Sequence, residues 1–191
     1  MKTLIYILLI LCNLNLIAQQ EVEMTKLFNR NGVYYLKSPD EGFTGIGFQN
    51  NSFNDRIIEK HFLNGLLHGA EIFYFNNGVK KYQKTHKNGL LHGKWTEWDV
   101  LNNKIFESNY INGKKNGKEY RWHVGGVKES EYNYVDDKIE GKVQTWYKNG
   151  NLKHESNWLN GNLNGSYKSY DPNGKVSFNA LYKDNQIIDQ K

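Results

Sequence analysis

The sequence predicts an all-β protein that forms an elongated single-layer antiparallel sheet of tandem 24-residue β-hairpin repeats. Three observations predict this fold class. Glycines recur every 24 residues without insertion or deletion, and aromatic residues recur with the same period. Frequent Asn-Gly pairs indicate tight turns with positive φ angles, which are typical of short hairpins. A unit this small buries little of its own apolar surface, so it must stack on its neighbours.

The composition favours a folded protein over a disordered one. Hydrophobic residues make up only 38% of the 191 residues, yet the chain contains 13 Tyr, 9 Phe and 5 Trp. Disordered chains are poor in aromatic residues. The apolar surface of the fold is therefore expected to be mostly aromatic.

Residues 1–18 have the pattern of a secretory signal peptide. Lys2 provides a positive start, an apolar run extends from Leu4 to Leu11, and Ala18 is a small residue suited to cleavage. The run is too short for a membrane-spanning helix, which needs about 20 apolar residues. We therefore expect cleavage after Ala18 and a secreted or periplasmic mature protein.

The single cysteine and the net charge narrow the function classes. Cys12 lies within the predicted signal peptide, so cleavage leaves neither a disulfide nor a cysteine nucleophile. Leu11 precedes it where lipoprotein processing favours a small residue, so a lipoprotein is the less favoured alternative. The net charge of +5 is mild, and the lysines are interspersed with glutamates and form no run of five or more. A nucleic-acid partner is therefore not predicted.

The repeat domain is predicted to span residues 43–191, and residues 19–42 are predicted to form an N-terminal cap. Six units begin near glycines that we call the phase glycines: Gly45, Gly69, Gly93, Gly117, Gly141 and Gly165. Each unit has one turn just before its phase glycine and a second turn nine residues after it. The segments between the turns suit one strand each and are too short for an ordinary helix.

Two aromatic columns form the candidate binding face. The first ring column, five residues after the phase glycines, contains Tyr74, Trp98, Trp122, Trp146 and Tyr170. The second ring column, seventeen residues after them, contains Tyr110, Tyr134, Trp158 and Tyr182. Because both offsets are odd and side chains alternate along a strand, both columns are predicted to project from one face. Arg121 beside Trp122 joins this face, since aromatic and Arg-rich patches concentrate binding energy.

The face opposite the rings is predicted to be polar and solvated. Glu107, Glu131 and Glu155 occupy one of its columns. Charge pairs with lysines across neighbouring strands would contribute a few tenths of a kcal/mol each.

The segment 146–165 closely resembles the variant form of the MORN repeat. It has an aromatic before Asn-Gly, Leu-Lys and an acidic residue on the return strand, an aromatic before the next Asn-Gly, and a closing glycine. The resemblance covers residues 43–185 and implies a row of antiparallel hairpins. MORN-type proteins serve as scaffolds, membrane-contact modules and protein-binding modules, so the resemblance implies binding without identifying the partner.

The sequence indicates no catalytic, cofactor or metal site. The histidines fall into different columns, and only His68 and His92 share one, where they alternate with Asn116 and Asn164 as turn residues. No glycine-rich phosphate loop precedes a helix, and no Ser, His and acid recur together within a unit. We therefore predict a protein that is not an enzyme and needs no cofactor.

The predicted function is a non-enzymatic extracytoplasmic binding or scaffold module that acts through protein–protein interaction with an unidentified partner. One alternative is binding of an anionic envelope lipid or a cell-wall polymer on the aromatic face. That alternative is favoured by the ring columns together with a lysine column, Lys94, Lys118 and Lys142. Stand-alone bacterial proteins that this chain resembles are often labelled antitoxins, which with a signal peptide implies a periplasmic immunity protein as a further alternative.

Overall fold

A computed structural model describes residues 20–190, so the predicted signal peptide at residues 1–18 lies outside the described residues. The described part contains eighteen strands and one short 3-10 turn, Met24–Lys26. Within residues 20–190, no helix is long and apolar enough to cross a membrane. The strands in chain order are β1 (Glu21–Glu23), β2 (Phe28–Arg30), β3 (Val33–Tyr35), β4 (Gly45–Asn50), β5 (Arg56–Leu63), β6 (Leu66–Tyr74), β7 (Lys80–Lys87), β8 (Leu90–Trp98), β9 (Lys104–Ile111), β10 (Lys114–Lys115), β11 (Gly117–Trp122), β12 (Lys128–Val135), β13 (Lys138–Ile139), β14 (Gly141–Trp146), β15 (Leu152–Leu159), β16 (Asn162–Tyr170), β17 (Val176–Lys183) and β18 (Gln186–Gln190).

One 16-stranded sheet contains all of these strands except the separate hairpin β2–β3. Neighbours in the sheet are consecutive in the sequence from β4 to β18. The short strands β10 and β13 pair with β9 and β12, as the strands that follow them, β11 and β14, also do. Every pairing in this run is antiparallel, and among the described strands only β1 pairs in parallel, with β4. The predicted fold class, a row of antiparallel hairpins in one elongated sheet, is confirmed.

Two-residue turns join each unit to the next. Asn64 and Gly65 have φ angles of 51° and 78°, which is the geometry of a type I′ turn. Asp136 and Asp137, at φ angles of 48° and 68°, retain that geometry without a glycine. The right-handed twist of the strands favours this turn type, so a two-residue connection suffices between every pair of units.

The phase glycines mark a bulge rather than a turn. Between β7 and β8, Lys84 lies opposite Trp95 and His86 lies opposite Leu91, so two steps on one strand match four steps on the other. Gly93 sits within this bulge at a φ of 99°. A left-handed backbone is unfavourable for residues with a Cβ, which explains why glycine returns at this position in the units after the first.

Hydrogen bonds between successive type I′ turns connect the units along one edge of the sheet. The amide of Gly89 donates to the carbonyl of Leu67 at 2.8 Å. The Nδ1 atom of His68 lies 3.2 Å from the Oδ1 atom of Asn88, and His92 makes the equivalent contact in the next unit. The shared histidine column therefore joins turns to one another, as the turn residues in the same column do.

Residues 20–43 cover one side of the first unit and form the main apolar cluster with it. Val22, Phe43 and Phe62 are all buried together. The ring of Tyr34 lies 4.8 Å from the ring of Phe62, and its amide donates to the carbonyl of Gly65 at 2.8 Å. The parallel strand β1 also pairs with β4 and so occupies the first edge of the long sheet.

Candidate functional site

The two ring columns lie on opposite faces of the sheet, so the prediction that they share a face is wrong. In the hairpin β8–β9, Gly93 lies opposite Tyr110, whereas Thr96 lies opposite Glu107. Residues directly opposite each other project to the same side. Trp98, two residues after Thr96, therefore shares its face with Glu107 and not with Tyr110. Positions at odd distances from the phase glycine share a face only if they lie on the same strand. Across the turn, the register places a position at an odd distance opposite one at an even distance, so the two ring columns, which lie on different strands, project to opposite faces.

We name the two faces by their chemistry. The packed face carries the second ring column, Tyr110, Tyr134, Trp158 and Tyr182, together with Arg121. The ionic face carries the first ring column, Tyr74, Trp98, Trp122, Trp146 and Tyr170, with the lysine column Lys94, Lys118 and Lys142 and the glutamate column Glu107, Glu131 and Glu155.

On the packed face, two members of the second ring column pack against other aromatic rings. Tyr110 is buried, and its ring centre lies 5.9 Å from that of Trp95. Trp95 also packs edge-on against the buried Phe106 at 5.6 Å. In the last unit, the ring of Tyr167 lies 5.7 Å from that of Tyr182. These rings fill the space above a sheet that, within residues 20–190, has no second layer beyond the first unit.

The remaining members of this column, Tyr134 and Trp158, contact polar groups. The ammonium of Lys115 lies 4.8 Å from the ring centre of Tyr134. Burial, and then the negative charge of Glu119, raises the pKa of the Tyr134 phenol to about 12. The indole nitrogen of Trp158 donates to the hydroxyl of Ser156 at 2.8 Å. Both rings are only half-buried.

Arg121 lies on the packed face, which corrects its placement beside Trp122. Its guanidinium lies 4.7 Å from the ring centre of Phe106 and 3.6 Å from a carboxylate oxygen of Glu119. Glu119 is buried, and the ammonium of Lys115 approaches its other oxygen to 2.6 Å. A buried carboxylate needs such partners, because an unpaired buried charge is strongly unfavourable. Arg121 therefore neutralises an internal charge.

Sequence reasoning missed the buried carboxylates of Glu71 and Glu119. Glu71 is bound by Lys60 at 2.9 Å and lies 3.6 Å from the imidazole of His86. Burial lowers the pKa of His86, although the charge of Glu71 opposes that effect. Both glutamates stand two residues after a phase glycine, in a column of mixed chemistry that also contains Trp95. Only the hairpin register identifies this column as buried.

The ionic face carries a charge motif that repeats from unit to unit. In the unit that begins at Gly93, the carboxylate of Glu107 binds Lys94 at 3.1 Å and Lys104 at 2.6 Å. The ammonium of Lys104 also lies 5.6 Å from the ring centre of Trp122 in the next unit. A single carboxylate therefore connects two cations and, through one of them, a ring of the first ring column.

The following units retain this motif. Glu131 binds both Lys118 and Lys128 at 2.8 Å, and Lys128 lies 5.1 Å from the ring centre of Trp146. In the next unit, Glu155 binds Lys142 at 2.8 Å and accepts a 3.0 Å hydrogen bond from a ring hydroxyl, that of Tyr170. Since each unit adds two strands about 4.8 Å apart, the motif repeats about every 10 Å along the sheet.

The glutamates of this motif predict an acid-sensitive stability. Partial burial disfavours their charge, but hydrogen bonds from lysines outweigh it and hold the pKa of Glu107 and Glu131 below its usual range. For Glu155, the hydrogen bond from Lys142 is the largest cause of a lowered pKa. Their contribution to stability is therefore present above the unfolded pKa and is lost as the pH falls through the folded pKa.

We expect the free energy of unfolding, measured with urea, to fall between pH 5 and pH 3 more steeply in the native chain than in a triple variant. That variant combines Glu107→Gln, Glu131→Gln and Glu155→Gln. Burial also lowers the pKa of His86 and His154. The stability that depends on these histidines begins to fall nearer pH 6.5 as the pH is lowered, and this fall is common to both proteins. Parallel pH profiles would show that the lysine contacts contribute nothing to stability.

The described histidines contact different neighbouring groups. The Nε2 atom of His61 lies 2.9 Å from Glu59, and that of His123 lies 3.1 Å from the carbonyl of Trp146. Across residues 20–190, no group of three or more His, Cys, Asp or Glu side chains is arranged to hold a metal ion.

An exposed apolar ridge follows the edge formed by the type I′ turns. One aliphatic residue beside each of five successive turns is between 41% and 51% exposed. We define the apolar ridge as Leu63, Leu90, Ile111, Val135 and Leu159. Sequence reasoning did not single out this ridge, because four of its members occupy one column and Leu90 occupies another.

Comparison with known families agrees with this repeat geometry. The family model of the MORN repeat variant matches residues 67–88, 139–160 and 163–184. Each matched segment begins two residues before a phase glycine and ends at the first residue of a type I′ turn. No curated protein matches the chain. MORN repeats generally take part in binding or scaffolding.

Proposed function

We propose that this chain, three segments of which match the MORN repeat variant, is a non-enzymatic extracytoplasmic module that binds a protein partner along its apolar ridge. The exposed row of five aliphatic side chains is the observation that carries the proposal. A row of exposed apolar side chains is typical of an interaction site.

The ridge suits an extended interface. Its members flank turns that are hydrogen-bonded to one another along the edge, so the backbone beneath them is held in place. Full burial of one aliphatic side chain contributes about 1.5–3 kcal/mol, so covering five half-exposed ones favours association by several kcal/mol. Because the backbone is already ordered by the hairpins, the ordering cost of binding is confined to the side chains.

Three substitutions on the ridge, Ile111→Ser, Val135→Ser and Leu159→Ser, are expected to abolish recovery of the partner. The test is a pull-down from the envelope fraction of cells that express the chain. A matched variant with Val100→Ser, Leu101→Ser and Val124→Ser removes three exposed aliphatic side chains from the opposite edge. The proposal predicts that this control recovers the same partner as the native chain, and equal recovery by both variants would refute it.

The extracytoplasmic location has its own test. Residues 1–18 have the charge, hydrophobicity and small terminal residue of a cleaved leader. Cell fractionation should recover the protein outside the cytoplasm, with Gln19 as its first residue. Recovery in the cytoplasm with Met1 retained would contradict this part of the proposal.

A second candidate function is binding of an envelope polymer or lipid on the ionic face. It is favoured by the register, which places the lysine column and the first ring column on the same side of the sheet. A cationic row beside a row of aromatic rings attracts an extended anionic ligand more readily than a neutral one.

A further inference from the structure

We propose that the ionic face binds a linear anionic polysaccharide, one that carries an acidic group on every second sugar. The polymer lies along the lysine column, with sugar rings against the first ring column. This inference rests on the second candidate function and specifies its ligand class.

The charge of the motif favours an anionic ligand. In the units that begin at Gly93 and Gly117, two ammonium groups share one carboxylate, so the two lysines and the glutamate of each motif carry one net positive charge. The lysine column itself is between 45% and 56% exposed. A ligand carboxylate can therefore reach these ammonium groups without displacing the less exposed glutamates that bind them.

The aromatic rings add a surface suited to sugars. Trp98 lies directly opposite Lys104, and Trp122 lies directly opposite Lys128, so each ring stands beside a cation. An aromatic face carries partial negative charge and attracts the partly positive C–H groups on the face of a sugar ring. Lys104 and Lys128, the cations beside the rings, share their glutamates with Lys94 and Lys118 of the lysine column, so rings and cations together match a polymer in which sugar faces and carboxylates alternate.

The linear arrangement distinguishes a polymer from a compact ligand. The rings and lysines do not converge on one point but repeat about every 10 Å along the sheet, the distance spanned by two strands. Each additional repeat of a bound polymer meets another copy of the same motif. Affinity should then grow with polymer length, as it does for linked binding sites. A bilayer surface would show no such dependence on length.

The experiment measures tryptophan fluorescence during titration with hyaluronan oligosaccharides of one to four disaccharides at low salt. Hyaluronan carries one carboxylate per disaccharide, and neutral chitin oligosaccharides of equal length serve as the ligand control. We expect affinity to rise by about tenfold between two and four disaccharides, since each added repeat engages another unit. Added salt should weaken binding because it screens exposed charges.

Two lysine variants locate the site. The test variant combines Lys94→Gln, Lys118→Gln and Lys142→Gln, and it should lose the dependence on length. The control variant removes the same charge from exposed lysines outside the column: Lys148→Gln, Lys175→Gln and Lys183→Gln. It should bind as the native chain does. Circular dichroism of each variant confirms that the fold is retained.

Three outcomes would overturn the inference. These are affinity that does not change with oligosaccharide length, equal weakening by both lysine variants, and binding to phosphatidylserine vesicles without binding to hyaluronan. The last outcome would assign the ionic face to a lipid surface. Serine substitutions on the apolar ridge should leave hyaluronan binding intact, so failure of this inference and failure of the proposed protein binding are separately observable.

Discussion

Replacing Phe62 with alanine is expected to lower the free energy of unfolding by about 3–5 kcal/mol. Phe62 is only 2% exposed and packs against Val22 and Phe43. The ring of Tyr34 also lies 4.8 Å from the Phe62 ring. This is where the sheet has a second layer, so a deleted ring leaves a cavity that its neighbours cannot fill. Urea denaturation followed by circular dichroism measures the loss.

Phe53→Ala is the matched control for this prediction. Phe53 lies at the tip of the turn that precedes β5 and is 84% exposed. Its removal should change the free energy of unfolding by no more than about 0.5 kcal/mol. Similar losses for both variants would show that the N-terminal segment does not form a core with the first unit.

Replacing Gly65 with alanine is expected to cost about 2–5 kcal/mol, for two separate reasons. Its φ of 78° is in the left-handed region, where a residue with a Cβ costs about 1–2 kcal/mol. An added Cβ would also overlap the side chain of Val33 and lie 2.8 Å from the carbonyl oxygen of Tyr34. Overpacking of this kind costs about 1–3 kcal/mol. Thermal and urea unfolding both measure the total.

Gly161→Ala isolates the backbone part of that cost. Gly161 occupies the same position of a type I′ turn, at a φ of 84°, and a Cβ there would lie no closer than 3.7 Å from the Cβ of Lys138. We expect a loss of only about 1–2 kcal/mol. A loss at Gly65 no larger than that at Gly161 would argue that the hairpin β2–β3 does not pack on the first turn.

Much of the fold could be predicted from local chemistry. Asn64-Gly65 and its equivalents specify type I′ turns, because few other residue pairs accept two successive positive φ angles. The equal spacing of the phase glycines then requires identical hairpins. The structural role of those glycines could not be predicted from the sequence. Gly93 adopts the left-handed backbone of a bulge, and this bulge exists only once β7 and β8 are paired.

The candidate site could be predicted only in part. Members of each ring column were identified correctly as equivalent positions, because equivalence follows from the period alone. Their distribution between faces was not, because it depends on which residues lie opposite each other across a turn. Arg121 shows the consequence: it neighbours Trp122 in sequence, yet it contacts Phe106 and Glu119 on the other side of the sheet.

The sequence by itself therefore determined the repeat length, the turn types and the all-β class of this protein, since these depend on residues within one or two turns of each other. The tertiary structure alone decided which rings are core, which face carries the repeated ionic motif, and how residues 20–43 cover the first unit. These features depend on strand register and on contacts between distant residues. A shift of one residue in register would exchange the two faces while leaving every local pattern unchanged.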